Sequence, residues 1–405
     1  MAGLRGFKRT IIMTAGWARH RRRIIPVPAS MRYSAGRRSM VNDMSWKNVV
    51  CVVSLFLLAH TGLVGQQNLS GSIRGVLSKS DSPYTIIADI IVDAGDTLWI
   101  DPGVELRFKQ GTGLVIEGTV QAVGLEADSI RFTSAADTSR RGDWTGIFFR
   151  DNGGGTLWNC VIGFAATAVT TGKGELLVKR SLISNNNNGF DCLQQGEPII
   201  EFCRIEKNIN SGMRVIDASP VVRFNSVLFN SDGGVESAIV LQNSSAQISN
   251  NLIAFNSNSG IDLINSSAAV ILQNTISAND IGITLTDSDA AITNNIVALN
   301  YDGVLAEGSA PVLRYNNIWG HQGDEFTGLP EGTGVLSRTN ARGDSADAGY
   351  NIFLDPQFYN PDGVDFRLLA QSPCIDAGDP ANPAQVSVTG SAPDIGVYEL
   401  NSIAV

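Results

Sequence analysis

The chain has 405 residues, 17% of them charged, with 42 Gly against 14 Pro; this excludes a disordered acidic tail and a coiled coil and describes a turn-rich chain able to bury a large core. The net charge of −9 conceals an asymmetry: residues 1–65 hold 11 of the 30 Lys and Arg and one acid, Asp43, leaving 19 basic against 38 acidic residues from Gln66 onward. So acidic a body, with no basic run after residue 65, excludes nucleic acid as a partner.

Residues 1–43 are Arg-rich and unpatterned and read as an upstream mis-started or unstructured segment, with a mitochondrial transit peptide as the competing reading. Residues 44–65 read as a signal peptide: Lys47 supplies the positive end, Val49 to Ala59 the apolar stretch, and Leu63-Val64-Gly65 a cleavage site before Gln66. The apolar run is short for a membrane span, and no other segment approaches one, so the mature chain is expected to have none. The expected product is exported, secreted or held at the cell surface.

From residue 86 short stretches alternate apolar with polar: Ile86 to Val92, Thr97 to Ile100, Val104 to Phe108, Leu114 to Ile116 and Ile130 to Phe132. They read as strands. A fixed period then takes over. Asn208, Asn230, Asn256, Asn279 and Asn300 are 22, 26, 23 and 21 residues apart, and each is preceded five residues earlier by Cys203, Asn225, Asn251, Asn274 or Asn295. Gly212, Gly234, Gly260, Gly282 and Gly303 follow in step, and the register extends back to Asn186 and forward to Asn316 and His321.

A period near 22 with β-branched alternation and no helical stripe predicts a solenoid whose coils hold two or three short strands. Each Asn then stacks on the Asn of the next rung at the strand spacing of about 4.8 Å, forming two side-chain ladders at the turns. The four-residue excess between Gly234 and Ala238 predicts a loop projecting from one coil. Residues 66–334 are thus expected to form the solenoid, about ten coils with an N-terminal cap over 69–93, and residues 335–405 the C-terminal cap, because an uncapped stack end is an open sheet edge.

The stretches GDTLWIDPGVELRF (95–108), GDWTGIFF (142–149), SPCIDAGDP (372–380) and DIGVYE (394–399), together with the repeats, resemble the secreted bacterial right-handed parallel β-helix proteins of the pectate-lyase-like superfamily. The resemblance covers roughly residues 70–400. It implies an all-β chain, a single-stranded right-handed parallel β-helix with caps at both ends. Its implication for activity is broad, since the superfamily includes lyases, hydrolases, epimerases and adhesins.

The leader removes His20 and His60, so the mature chain keeps only His321, which excludes multi-His metal sites and most Ser-His or Cys-His nucleophile schemes. His321 falls in the second ladder and reads as a turn residue. The strand after each repeat Gly gives an outward stripe, Asp191, Arg214, Val240, Asp262, Thr284 and Leu305, one residue per rung. Asp191 and Arg214 on adjacent rungs are the one acid–base juxtaposition there, read first as a solvated ion pair and otherwise as catalytic candidates, with Arg214 as the base of a β-elimination. Asp191, Arg214, Asp262 and Thr284 are the candidate ligand contacts. Asp191 and Asp262 lie three rungs apart, roughly 14 Å, too far to share an ion.

A second polar column, Gln194, Asp217, Asn243, Asn265 and Asp287, reads as turn capping. Trp144, Trp158 and Trp319 could stack on sugar rings, with packing the stronger reading for Trp144. In the C-terminal cap Asp376, Asp379 and Asp394 could take Ca²⁺, against turn capping by the same residues; no cofactor is otherwise implied. Of the four mature cysteines, Cys192 shares an inward register with Val215, Leu241, Leu263 and Leu285 and reads as a core thiol.

These features point to a monomeric exported β-helix that binds polysaccharide or cell-surface glycan without a recognisable catalytic site. The alternatives are a polysaccharide lyase or other carbohydrate-active enzyme on acidic polysaccharide, and a structural shaft or adhesin.

Overall fold

A computed structural model describes residues 67–266, 268–381 and 390–399; the segments 1–43 and 44–65 lie outside the described residues. One coil shows the plan. Strands Ile199–Glu201, Arg204–Glu206 and Met213–Ile216 follow one another around the axis, and each pairs in parallel with its counterpart one coil on, through Ile199↔Val221, Arg204↔Ser226 and Met213↔Ile239. The first strands of all coils make an 11-stranded parallel sheet, and the middle and long strands wrap a 22-stranded one. The result is a right-handed solenoid of about 12 turns, rather than about ten, with coils of about 22 residues. The expected number falls short because the early coils lack the Asn and Gly register by which coils were counted.

Three-residue strands suffice because one inward side chain per strand fills the core: Ile200, Val222, Ile248 and Ile271 stack in one column, Ile205, Val227, Ile253 and Ile276 in another, all fully buried. Cys192 follows Thr171 in the inward column that continues through Val215, Leu241, Leu263 and Leu285, as expected.

The corners between strands need a left-handed residue, and the chain supplies it immediately before each ladder position. Phe202, Phe224, Asn250, Gln273, Asn294 and Tyr315 precede the first ladder with φ of 52 to 59°. That conformation costs a residue with a Cβ roughly 1–2 kcal/mol, and the ladders offset it. In the first, Asn225, Asn251, Asn274, Asn295 and Asn316 each donate both backbone N–H and side-chain Nδ2 to the Oδ1 of the next, at 2.8 to 3.0 Å. The ladder runs past Asn316 to Asn351, which the period did not reveal. In the second, Asn186, Asn208, Asn230, Asn256 and Asn279 do the same, and the ladder closes at Asn300, whose backbone N–H donates to His321 Nδ1 at 3.2 Å. The repeat Gly beside this ladder leaves room for it: a Cβ at Gly260 would lie 3.0 Å from Asn279 Nδ2 and 2.9 Å from the Gly282 carbonyl.

The two ends differ. Residues 67–92 build the first rung themselves, Gly75–Leu77 opening the 11-stranded sheet and the exposed, polar Gln67–Ser72 leaving a short outer edge. The C-terminal segment covers the last coil and also folds back along the flank, where Phe358, Phe366, Cys374 and Ile395 pack on Leu228, Leu252, Ala254 and Ile296 of the middle strands. Gln273 Nε2 donates to the Asp394 carbonyl and the Val397 N–H to Thr275 Oγ1, fastening it.

Candidate functional site

The long strands present the outward column expected from the repeat and extend it: Phe148, Thr170, Asp191, Arg214, Val240, Asp262, Thr284 and Leu305 lie one per rung. Eight rungs span roughly 34 Å at the strand spacing.

Asp191 and Arg214 meet as expected, but not as a solvated pair. Arg214 Nε reaches Asp191 Oδ1 at 2.8 Å and Nη2 reaches Oδ2 at 2.5 Å, a two-pronged contact in which the Asp191 side chain is only 7% exposed. Glu236 adds a second carboxylate, Oε1 lying 3.4 Å from Nη1. It arrives on the four-residue insertion before Ile239–Gln242, so the projecting loop turns back onto the face. Hydrogen bonding to Asp191 raises the Arg214 pKa still further, with the Asp191 and Glu236 charges adding to the effect against partial burial. A guanidinium so held is a poor proton acceptor, which removes the geometric basis for Arg214 as a base.

Asp262 stands two rungs beyond Arg214, across Val240. Burial raises its pKa, partly opposed by a hydrogen bond from Ser237. Thr284 Oγ1 is 2.7 Å from Ser259 Oγ, so its hydroxyl is engaged within the fold. The four expected contact residues thus share one face, tied into two separate groups.

On the other side of Asp191 the face opens into a shallow cleft of about 300 Å³ lined by Phe148, Arg150, Asp151, Thr170, Leu193 and Gln194. The expected column did not reach it, because Phe148 and Arg150 lie in coils without ladder Asn. Asp143 does not join Asp151 there: its Oδ2 accepts from Ser134 Oγ at 2.6 Å and from the Arg140 N–H at 2.8 Å.

The polar column Gln194, Asp217, Asn243, Asn265 and Asp287 forms the third corner, every member left-handed with φ of 48 to 56°. Behind it runs a ladder that sequence reasoning missed. The backbone N–H groups of Ser244, Ser266 and Ser288 donate to the hydroxyls of Ser266, Ser288 and Ser309. Its signal was present as Asn-Ser, Asn-Ser, Asp-Ser and Gly-Ser pairs at the coil period.

Asp376, Asp379 and Asp394, the expected Ca²⁺ candidates, are each hydrogen-bonded to backbone N–H groups of the cap. Asp376 Oδ1 accepts from the Ser391 and Ala392 N–H groups, Asp394 Oδ1 from the Asp376 N–H, and Asp379 Oδ1 from the Ala381 N–H. These carboxylates cap turns, and among the described residues no three His, Cys, Asp or Glu gather as a metal site. Trp144 is a packing residue, fully buried, stacked on Phe108 at 4.1 Å and donating Nε1–H to the Gly163 carbonyl. Cys160, Cys192, Cys203 and Cys374 are buried free thiols; burial pushes the Cys203 and Cys374 pKa values up to about 12.

The family described as "Right handed beta helix region" matches residues 113–238 and 237–348, more than half of the chain. The chain belongs to this right-handed β-helix family. Among solved structures, the pectate lyase Pel9A is 17% identical with a TM-score of 0.50, covering 84% of this chain and 98% of that one. A variant of the periplasmic alginate epimerase AlgG is 18% identical with a TM-score of 0.48, over 59% of this β-helix chain and 64% of that one. Protein bark beetle of Drosophila melanogaster is 40% identical over 81 residues, which are 20% of this chain and only 2% of that protein's length. The structural likeness is one of fold. Among the described residues no helix is long and apolar enough to cross a membrane.

Proposed function

We propose that this β-helix is an exported, monomeric protein that binds an extended extracellular or cell-surface glycan along the outer face of its long strands and does not cleave it. One observation favours binding over cleavage: the arginine at the centre of the face is engaged by two carboxylates, Asp191 and Glu236, which hold it in its charged form, unsuited to proton abstraction. The glycan itself is supported by analogy, because the pectate lyase Pel9A carries a polysaccharide in its name and shares the fold. Export rests on the leader over 44–65.

The test incubates the full chain with plant, algal and bacterial polysaccharides, with and without Ca²⁺, reading new reducing ends, unsaturated uronate and co-sedimentation. Co-sedimentation with at least one polymer and no new ends is the expected result. New ends from any polymer would make the chain a lyase or hydrolase; an absence of both signals would leave a structural shaft.

A further inference from the structure

The charge on the long-strand face is lopsided. From Val215 to Leu313 the chain holds nine acids and one cation, Arg223. Arg223 lies on the 11-stranded sheet and is bound to Glu201 at 2.8 Å. The acids fall on the long strands (Asp262, Asp302, Glu307) or in the turns that flank them, such as Asp217, Asp280 and Asp287. Several consecutive coils therefore face outward with negative charge and no free cation, Arg214 being already neutralised. A polymer bearing a carboxylate or sulfate on every sugar would meet repulsion along this length.

The cleft beside Asp191 is different. The exposed Arg150 forms no ion pair among the described residues and stands next to the Asp151 carboxylate, so its local charge balances. The half-buried ring of Phe148 offers an apolar surface, Thr170 a hydroxyl from the outward column, and Gln194 an amide. The corner is stiff: Asp151 is held in the left-handed region at φ 48° while its carbonyl accepts the Lys173 N–H at 2.8 Å, and Gln194 is held at φ 56°. An aromatic surface ringed by paired donors and acceptors in about 300 Å³ suits a single polyhydroxylated ring.

We infer that the ligand of this face is an uncharged glycan and that the cleft between Phe148 and Gln194 seats one of its sugar rings, an inference that rests on the glycan-binding reading above. Phe148 packs against the C–H face of the ring, Asp151 accepts from its hydroxyls, and Arg150, Gln194 and the Thr170 hydroxyl donate to its oxygens. The acidic coils beyond exclude uronate and sulfated chains.

Titration of the full chain with a β-glucan, a xylan and a mannan, and with polygalacturonate and alginate, at low and physiological salt, tests this. The expected result is binding of at least one uncharged polymer with little dependence on salt, and none of the two polyanions. Phe148→Ala and Gln194→Ala should each weaken binding, the former about tenfold, as when one aromatic anchor is removed. Trp99→Ala, on the 11-stranded sheet, should leave binding unchanged. Polyanion binding equal to or tighter than that of the uncharged polymers would overturn the ligand class. Undiminished binding by folded Phe148→Ala and Gln194→Ala would overturn the cleft while leaving glycan binding in place. Failure of every polymer to bind would overturn the glycan reading, and the cleft with it.

Discussion

Replacing Asn251 by Ala strikes the ladder at its centre. Asn251 is fully buried; its Oδ1 accepts from Asn225 N at 2.9 Å and Asn225 Nδ2 at 3.0 Å, and its Nδ2 donates at 3.0 Å to Val222 O, Ser249 O and Asn274 Oδ1. The substitution removes all five contacts. Asn225 Nδ2 keeps the Ile200 carbonyl, but the Asn225 backbone N–H is left in the interior without its acceptor. The amide's two N–H groups share three acceptors, so about four hydrogen bonds are lost; at about 1 kcal/mol net each, with an added penalty for a buried unsatisfied donor, the loss comes to about 5–6 kcal/mol. Asn251→Ser is the informative companion. Ser181 occupies the same ladder in an earlier coil, accepting the Cys160 N–H at 3.1 Å and lying within reach of the Leu157 and Lys179 carbonyls. A serine at 251 should likewise rescue the Asn225 N–H and cost about 2 kcal/mol. Urea unfolding followed by far-UV circular dichroism measures both, and hydrogen exchange at the Asn225 N–H reports whether the damage stays within neighbouring coils, as nearest-neighbour coupling in a solenoid requires. An alanine variant within about 1 kcal/mol of the parent, or a serine variant as damaged as the alanine one, would refute the claim that the side-chain ladder stabilises the corners.

Arg214→Ala should destabilise the chain by about 2–4 kcal/mol, below the range for a fully buried pair because the guanidinium reaches the surface; Arg214→Lys should recover only part of this, having one prong for two oxygens, and chemical denaturation gives both values. For His321, burial lowers the pKa despite the Glu325 and Asp302 charges, so the unfolded chain binds its proton more tightly. Its contribution is therefore complete above the ordinary value of 6.5 and is lost as pH falls from there toward the lowered folded value. His321→Asn, which continues the ladder with a group that does not titrate, should show a smaller fall in melting temperature between pH 7.5 and 5.5 than the parent; an equal fall would dissociate His321 from acid sensitivity. Asp262 has the opposite sign. Burial raises its pKa, so its ionisation costs stability as pH rises through the raised value, and Asp262→Asn should melt higher than the parent at neutral pH, with the gap closing below the ordinary value of 3.8.

What was legible in the sequence is what the coils repeat. The Asn columns, the inward apolar columns and the Asp191–Arg214 adjacency all follow from the period, since in a parallel stack equal register means direct contact. Glu236 was not placed because it sits on the insertion that breaks the period, and the direction of a projecting loop is not encoded in its length. The cleft was hidden for a related reason: the coil of Thr170 carries Cys160 and Ala165 where later coils carry Asn, and Phe148 and Arg150 lie one coil earlier still, so they had no register to align them. The fold-back of the C-terminal segment rests on contacts such as Gln273 with Asp394 and Thr275 with Val397, 121 and 122 residues apart, which leave no local pattern at all.

A stack that places one side chain per rung at about 4.8 Å also constrains where charge can go, because like charges on adjacent rungs repel at short range. Both charged columns obey this by alternation. On the 11-stranded sheet Lys179, Glu201 and Arg223 follow one another and pair at 2.7 and 2.8 Å. On the long-strand face Asp191 and Arg214 alternate, after which Val240 and Thr284 isolate Asp262 from any ionised neighbour in its column. Charges placed by the repeat are therefore already balanced or spaced, and such columns stabilise the shaft more readily than they recognise a ligand. Recognition needs groups the repeat does not neutralise, and these arise where the repeat fails: at the corners and in the coils around Phe148, Arg150 and Asp151 where the Asn ladders have not begun. By that physical criterion the cleft, rather than the regular face beyond it, is where selectivity for a ligand should reside.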